Sequence, residues 1–391
     1  MKLLLFFITL IQGVILISGD NYTKGSALYT YPNAATVAVP YPTTFQENYN
    51  GDLKFLVFGD WGQLGKQTGQ AQVAAGMTTW ANANSTTFML NLGDNFYQSN
   101  NAPKGTAFNN ASDYEGVFSE TDPKWKSYWL DVYGGQLANI TWYSIAGNHD
   151  WYNNVTAEVD YFWDIDSRFF LPALYYTRKV TFGNGVTAAF IHIDTNPFYY
   201  NYTNYTKVNN MKSNLQTFNL YNDAGTNATL KWLDDQLTAV DDCDWIFVVG
   251  HHPLVGDCRL YDPKDYYEMY RLVPYLEKHK VSAYFNGHTH ELAVSVANST
   301  SPVTYFGSGA GGASLGSACP NPTWTVPNTF GFLSIYIPAD GKTLQYQYVS
   351  ANTTNAPTQV LYSGTVNAQS ATMYFITSLN FYNSTSTIIF L

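Results

Sequence analysis

The sequence predicts a mixed α/β domain, built on one mixed sheet or on two packed sheets with helices outside. Short apolar runs of strand length recur between residues 53 and 306. Helix-length stretches lie between some of them, and the later runs alternate and are separated by turn signals alone.

Taken in order, residues 1–19 have the layout of a secretory signal: Met1-Lys2, an apolar run at 3–17, then Ser18-Gly19. Cleavage is expected near Asp20, and the run is shorter than the ~20 apolar residues a bilayer demands. Residues 20–50, rich in Tyr, Thr, Pro and Asn, read as an extended N-terminal segment, and the main domain as 51–366. Buried strands are predicted at 53–58, 88–92, 141–145, 188–193, 245–249, 281–285 and 303–306. Helices are predicted at 70–82 and 228–240, the second with Leu230, Leu233 and Leu237 on one face. Alternating strands come next, at 331–337, 344–349 and 359–364. The polar stretch 196–226 is long for a loop and reads as a lid or exposed insertion. Residues 367–391 form a polar tail whose apolar end is too short to span a membrane.

With 391 residues, 46% of them hydrophobic, the chain has material for a large core. A net charge of -10 with 19 Lys and Arg argues against a nucleic-acid-binding surface. Any phosphate bound here is then held by something other than basic side chains, which points to metals. The 3 cysteines, Cys243, Cys258 and Cys319, allow at most one internal disulfide and form no zinc-module spacing. Asn-x-Ser/Thr sequons recur from Asn21 to Asn383, among them Asn84, Asn139, Asn154, Asn201, Asn204 and Asn227, so N-linked glycans are expected on a secreted or lysosome-like protein.

The chemistry concentrates where predicted strands end in glycine followed by metal-ligand side chains: Gly59-Asp60, Gly93-Asp94-Asn95-Phe96-Tyr97, Gly147-Asn148-His149-Asp150, Gly250-His251-His252-Pro253 and Gly287-His288-Thr289-His290. Loops beyond the carboxyl ends of neighbouring strands converge on one point, which is where open α/β sheets place ligands. His192, alternating with Ile191 and Ile193, reads as a packed or surface histidine, and His279, between two lysines, as solvated. Asp150 and Asp194 read as groups that orient neighbours rather than as ligands.

In order and spacing these segments resemble the metallophosphoesterase pattern GD, GDN, GNH, GH, GHxH. Tyr97, three residues after Asp94, narrows the resemblance to the tartrate-resistant (type 5) purple acid phosphatases. The resemblance covers about 53–364. It implies a β-sandwich of two mixed sheets flanked by helices, an αββα four-layer arrangement, with 51–366 as the catalytic domain. It also implies Fe(III) bound by Asp60, Asp94, Tyr97 and His290, and a second divalent metal (Fe2+, Zn2+ or Mn2+) bound by Asn148, His251 and His288, with Asp94 bridging. Two carboxylates and a phenolate against a trivalent and a divalent ion leave the cluster at about +2, which attracts a phosphate monoester without lysine or arginine. The implied activity is acid phosphatase, by attack of a metal-bound hydroxide, with His149 protonating the leaving group and His252 contacting substrate. The pattern departs from the subfamily at His252, usually Tyr, and at Thr289, usually Asp. The alternatives are a secreted phosphodiesterase using the same loops, against which Tyr97 argues, and a glycosylated non-catalytic surface protein, which predicts broken ligands. None is broken.

Overall fold

The computed structural model describes residues 14–17, 44–65, 67–99, 114–200, 220, 223–255, 268–298, 302–316, 322–351 and 358–368. Its strands form two mixed sheets. The first runs, in spatial order, β1 (Val14–Ile17), β2 (Thr44–Tyr49), β7 (Tyr176–Phe182), β8 (Val186–His192), β9 (Trp245–Val249), β10 (Ala283–Asn286), β12 (Thr304–Ser308), β11 (Leu292–Ser295) and β13 (Trp324–Val326). The second runs β16 (Gln359–Asn367), β15 (Thr343–Ser350), β14 (Gly331–Ile337), β3 (Leu53–Phe58), β4 (Phe88–Asn91), β5 (Trp142–Ser144) and β6 (Phe169–Phe170).

The sheets pack face to face through aromatic side chains. Phe55 of β3 stacks on Phe88 of β4 at 4.8 Å, and both meet Phe190 of β8 edge-on, at 5.6 and 5.7 Å. Each such ring removes a large apolar area from water, which is why runs as short as Phe88–Asn91 hold as strands. Helix α1 (Gln70–Asn84) lies on the second sheet, with Trp80 against Phe332 and its Nε1 donating to Ser334 Oγ at 3.0 Å. Further short helices are α2 (Asn148–Trp151), α3 (Thr156–Asp164), α4 (Asn196–Tyr200) and α6 (Val273–Lys278). Helix α5 (Asp223–Thr238) covers the first sheet, where Thr177 donates to Gln236 at 2.8 Å and Leu233 and Leu237 are buried. The layers are therefore helix, sheet, sheet, helix, as expected.

Two boundaries differ from expectation. Strand β2 lies inside the segment read as an extended lead-in, yet it pairs in parallel with β7 and contributes Phe45 to the core. Its Glu47 forms a fully buried pair with Arg178, whose guanidinium lies 3.0 Å from the Tyr143 ring of the opposite sheet. Periodicity missed β2 because a buried carboxylate occupies an inward position. Strand β1 falls within the expected signal segment; without it β2 is the sheet edge. The remainder of 1–19, most of the tail 367–391, Cys258, Cys319, Asn201 and Asn204 lie outside the described residues, as do 201–219 and 221–222 of the expected lid. The start of that stretch is no exposed loop: it is α4, with Phe198 fully buried.

Candidate metal centre

Strands β3, β4 and β5 are parallel neighbours in one sheet, and β9 and β10 in the other. Their carboxyl ends therefore deliver five loops to one rim of the sandwich. Close approach explains the glycines: a Cβ at Gly147 would collide with Asp94, and one at Gly287 with Asp60. Asp60, Asp94, His288 and His290 all adopt left-handed backbone, with φ of 59°, 53°, 72° and 52°. That conformation costs free energy for any residue with a Cβ, least for Asp, Asn and His.

Two donor sets result. In one, Tyr97 Oη lies 3.0 Å from Asp60 Oδ1, 2.6 Å from Asp94 Oδ2 and 3.1 Å from His290 Nε2, with His290 Nε2 3.2 Å from Asp60 Oδ1. In the other, Asn148 Oδ1 lies 3.2 Å from His251 Nε2 and 3.0 Å from His288 Nδ1, and His251 Nε2 is 3.4 Å from Asp94 Oδ2. Asp94 belongs to both. An octahedral ion with bonds of about 2.1 Å spaces adjacent ligand atoms by about 3.0 Å, so both sets match a metal shell.

Tautomers make the same point. His251 gives its Nδ1 proton to Leu92 O at 2.8 Å and His290 gives its own to Ser314 O at 2.6 Å, the outer-partner arrangement that metal-ligating histidines use. Each neutral ring then presents the lone pair of Nε2 to the cluster, where a cation can take it up. Against burial, Asp94 raises His251 to about 9, while His251 and His149 hold the Asp94 carboxyl well below its usual range. Burial and the carboxylates of Asp60 and Asp94 hold the Tyr97 phenol well above its usual range, so a strongly acidic cation is required to ionise it.

His149 sits on the open side of the cluster, its side chain 24% exposed, its ring 4.0 Å from that of Tyr97 and its Nε2 4.0 Å from Asp94 Oδ2. Its Nδ1 faces Glu115 Oε2 at 2.8 Å, and that carboxylate also accepts from Gln98 N at 2.7 Å. Burial opposes the charge on His149, but Glu115 and Asp94 raise it to about 9.

His252, expected to reach substrate, is fully buried: its ring stacks on Tyr199 at 4.0 Å and its Nδ1 lies 2.8 Å from Thr195 Oγ1. Tyr199 Oη in turn lies 3.2 Å from His288 Nε2. His279 is likewise not solvated, being clasped between Asp234 and Asp241 at 2.8 Å each. His192, read as packed or surface, is packed: it is buried and stacks on Tyr176. Asp150 accepts from Gly147 N at 2.7 Å and Asn95 N at 2.8 Å, tying two site loops together, and Asp194 accepts from Trp151 Nε1 at 2.6 Å. Sequence reasoning missed Glu115, Tyr199 and Lys124. The last is fully buried and donates to the carbonyls of Tyr97, Tyr114 and Gly116. None of the three lies in one of the five loops that the glycines mark, and their contacts with the site are made only by folding.

The calcineurin-like phosphoesterase family model matches residues 53–292, more than half of the chain, and the protein belongs to that family. Within it, the chain resembles the purple acid phosphatases. It is 29% identical to purple acid phosphatase 17 of Arabidopsis thaliana over 263 residues, 67% of this chain and 69% of that protein. It is 27% identical to tartrate-resistant acid phosphatase type 5 of Sus scrofa over 288 residues, 71% of this chain and 73% of that protein. Among solved structures, GAP50, the anchor in the inner membrane complex of Plasmodium, superposes with a TM-score of 0.61 at 22% identity, covering 82% of this chain and 90% of its own; that likeness is one of fold. Among the described residues no helix is long and apolar enough to cross a membrane.

Proposed function

We propose that the chain is a secreted acid phosphatase that hydrolyses phosphate monoesters at a two-metal centre of Fe(III) and a divalent ion. The convergence of an acid-shielded tyrosine with two carboxylates and a histidine beside an Asn-His-His set carries this reading. Asp60, Asp94, Tyr97 and His290 would hold the ferric ion, and Asn148, His251 and His288, with Asp94 shared, the divalent one. When bound, the ions supply polarisation of the phosphoryl oxygens and acidified water. The backbone N–H of His149 and that of His288 donate to Asp94 Oδ1 and Asp60 Oδ2, both at 2.8 Å, so the carboxylates are oriented before any ligand arrives. Glu115 fixes His149 with Nδ1 turned away from the cluster, which leaves Nε2 to protonate the leaving oxygen. His252 supports His288 and Tyr199 in this reading rather than touching the ester. Secretion and N-glycosylation rest on the signal-like start and the sequons.

Purified protein is assayed for iron, zinc and manganese and for turnover of a nitrophenyl phosphate monoester against the matching diester at acidic pH. Iron with a visible absorption band and preference for the monoester is the expected result; a colourless, iron-free protein that prefers the diester overturns it. His149→Ala keeps both metals and lowers kcat by roughly 10²-fold on an alkyl phosphate, whereas Asp94→Ala loses metal.

A further inference from the structure

At the end of β3 remote from Asp60, the outer face of the second sheet carries a groove of about 370 Å³. The strand register lays two cross-strand rows along its floor. Tyr336 pairs with Gln345 and Gln345 with Thr365; Ser334 pairs with Gln347 and Gln347 with Ser363. The rows hold amides, hydroxyls and one aromatic ring; Lys54 extends the first row beside Tyr336, whose hydroxyl donates to Asp52 Oδ2 at 3.2 Å, so opposite charges border the floor. Lys54 Nζ lies 5.4 Å from the centre of the Tyr336 ring. Such a floor suits a neutral, polyhydroxylated ligand: amides and hydroxyls both donate and accept, and a tyrosine face takes the C–H side of a sugar ring.

Asn84 stands at the rim of this groove and Thr86 lines it. They are the first and third residues of the sequon Asn84-Ser85-Thr86, at the exposed end of α1. Asn84 Nδ2 donates to Trp80 O at 2.9 Å, and the indole of Trp80 donates to Ser334 in the groove floor. Asn139, Asn154, Asn227 and Asn298, the other sequon asparagines among the described residues, do not line it.

We propose that Asn84 carries an N-linked glycan whose first N-acetylhexosamine lies in this groove and covers the outer face of β14 to β16. The proposal rests on the secretory reading given above. The new bond joins Nδ2 to the anomeric carbon of a lipid-linked oligosaccharide; the polyprenyl diphosphate leaves with the bonding electrons, and Nδ2 gives up one proton. Its second proton remains for Trp80 O, so the helix end keeps its hydrogen bond and the sugar projects over Ser334 and Gln347.

The full chain is expressed in a eukaryotic secretory host, and glycopeptides are analysed by mass spectrometry before and after endoglycosidase treatment of native and of denatured protein. Asn84 is expected to be occupied. Its native release is expected to be roughly tenfold slower than that of Asn154, the factor that about 1.4 kcal/mol of sugar–groove contact produces. The difference vanishes on denaturation and in Tyr336→Ala or Gln345→Ala. Gln345 is exposed, so its replacement serves where the tyrosine variant does not fold. Occupancy at Asn139 or Asn154 with none at Asn84, or release from Asn84 as fast as from Asn154, overturns the proposal and spares the secretory reading; no occupied sequon overturns both.

Discussion

Nδ1 of His149 lies 2.8 Å from Oε2 of Glu115, a residue that no motif of the chain contains. The carboxylate fixes the ring and favours its charged form. Glu115→Gln keeps an acceptor but removes the charge. It is expected to lower kcat roughly 10-fold on an alkyl phosphate, less on nitrophenyl phosphate, and to move the alkaline fall of kcat to lower pH. A kcat profile on both esters checks this.

Tyr199 meets His288 on the side away from Asn148, and its hydroxyl is placed to accept the Nε2 proton at 3.2 Å, which turns the Nδ1 lone pair to the cluster. Tyr199→Phe is expected to weaken the divalent ion roughly 10-fold while leaving iron in place, read by equilibrium dialysis against graded zinc.

Tyr97→Phe keeps the ring that packs against His149 and loses the phenol oxygen. The variant should fold, bind iron more weakly and lack any phenolate-to-iron band. Because the phenol is held well above its usual range without a cation, stripped wild-type protein is expected to be colourless, and its colour to return with Fe(III).

Metal-free protein should have a defined alkaline weakness. His149 and His251, at about 9 in the folded chain, lie above their unfolded value of 6.5. Their contribution is therefore complete below pH 6.5 and lost as pH rises through about 9. Melting temperatures of chelator-treated protein should fall across that window by more than those of the metal-loaded form. Zinc uptake below pH 9 should release protons, seen in a weakly buffered indicator solution.

Glu47 and Arg178 are both fully enclosed, with side chains 3% and 0% exposed. Removing one partner strands a charge between the sheets. Glu47→Ala is expected to cost about 3–5 kcal/mol in urea unfolding. A chain begun at Leu53 should fail to fold.

The strands that bear the site were legible because each is a short apolar run: Trp245–Val249 and Gly331–Ile337 appear with their predicted limits. Their glycine-ended loops were legible because close approach forces the glycine and metal chemistry selects the side chains next to it. Strands β7 and β11 were not, since Arg178 and Lys179 interrupt the first, where the Arg178 charge is buried by Glu47 from far along the chain, and the second is only the short run Leu292–Ser295. The same holds at the site. Asn148 and His251 are named by their motifs, but nothing local to Glu115 says that folding brings it to His149, 34 residues on.

Four of the cluster's side chains hang from left-handed backbone, at Asp60, Asp94, His288 and His290. Such positions favour glycine, and after it asparagine, so selection for stability alone pulls against the residues that would bind the metals. A descendant released from catalysis gains by giving way there. Glycine or asparagine at these four sites, with the sandwich intact, would mark a lineage that has retired the chemistry and kept the scaffold. This chain has taken none of those exits.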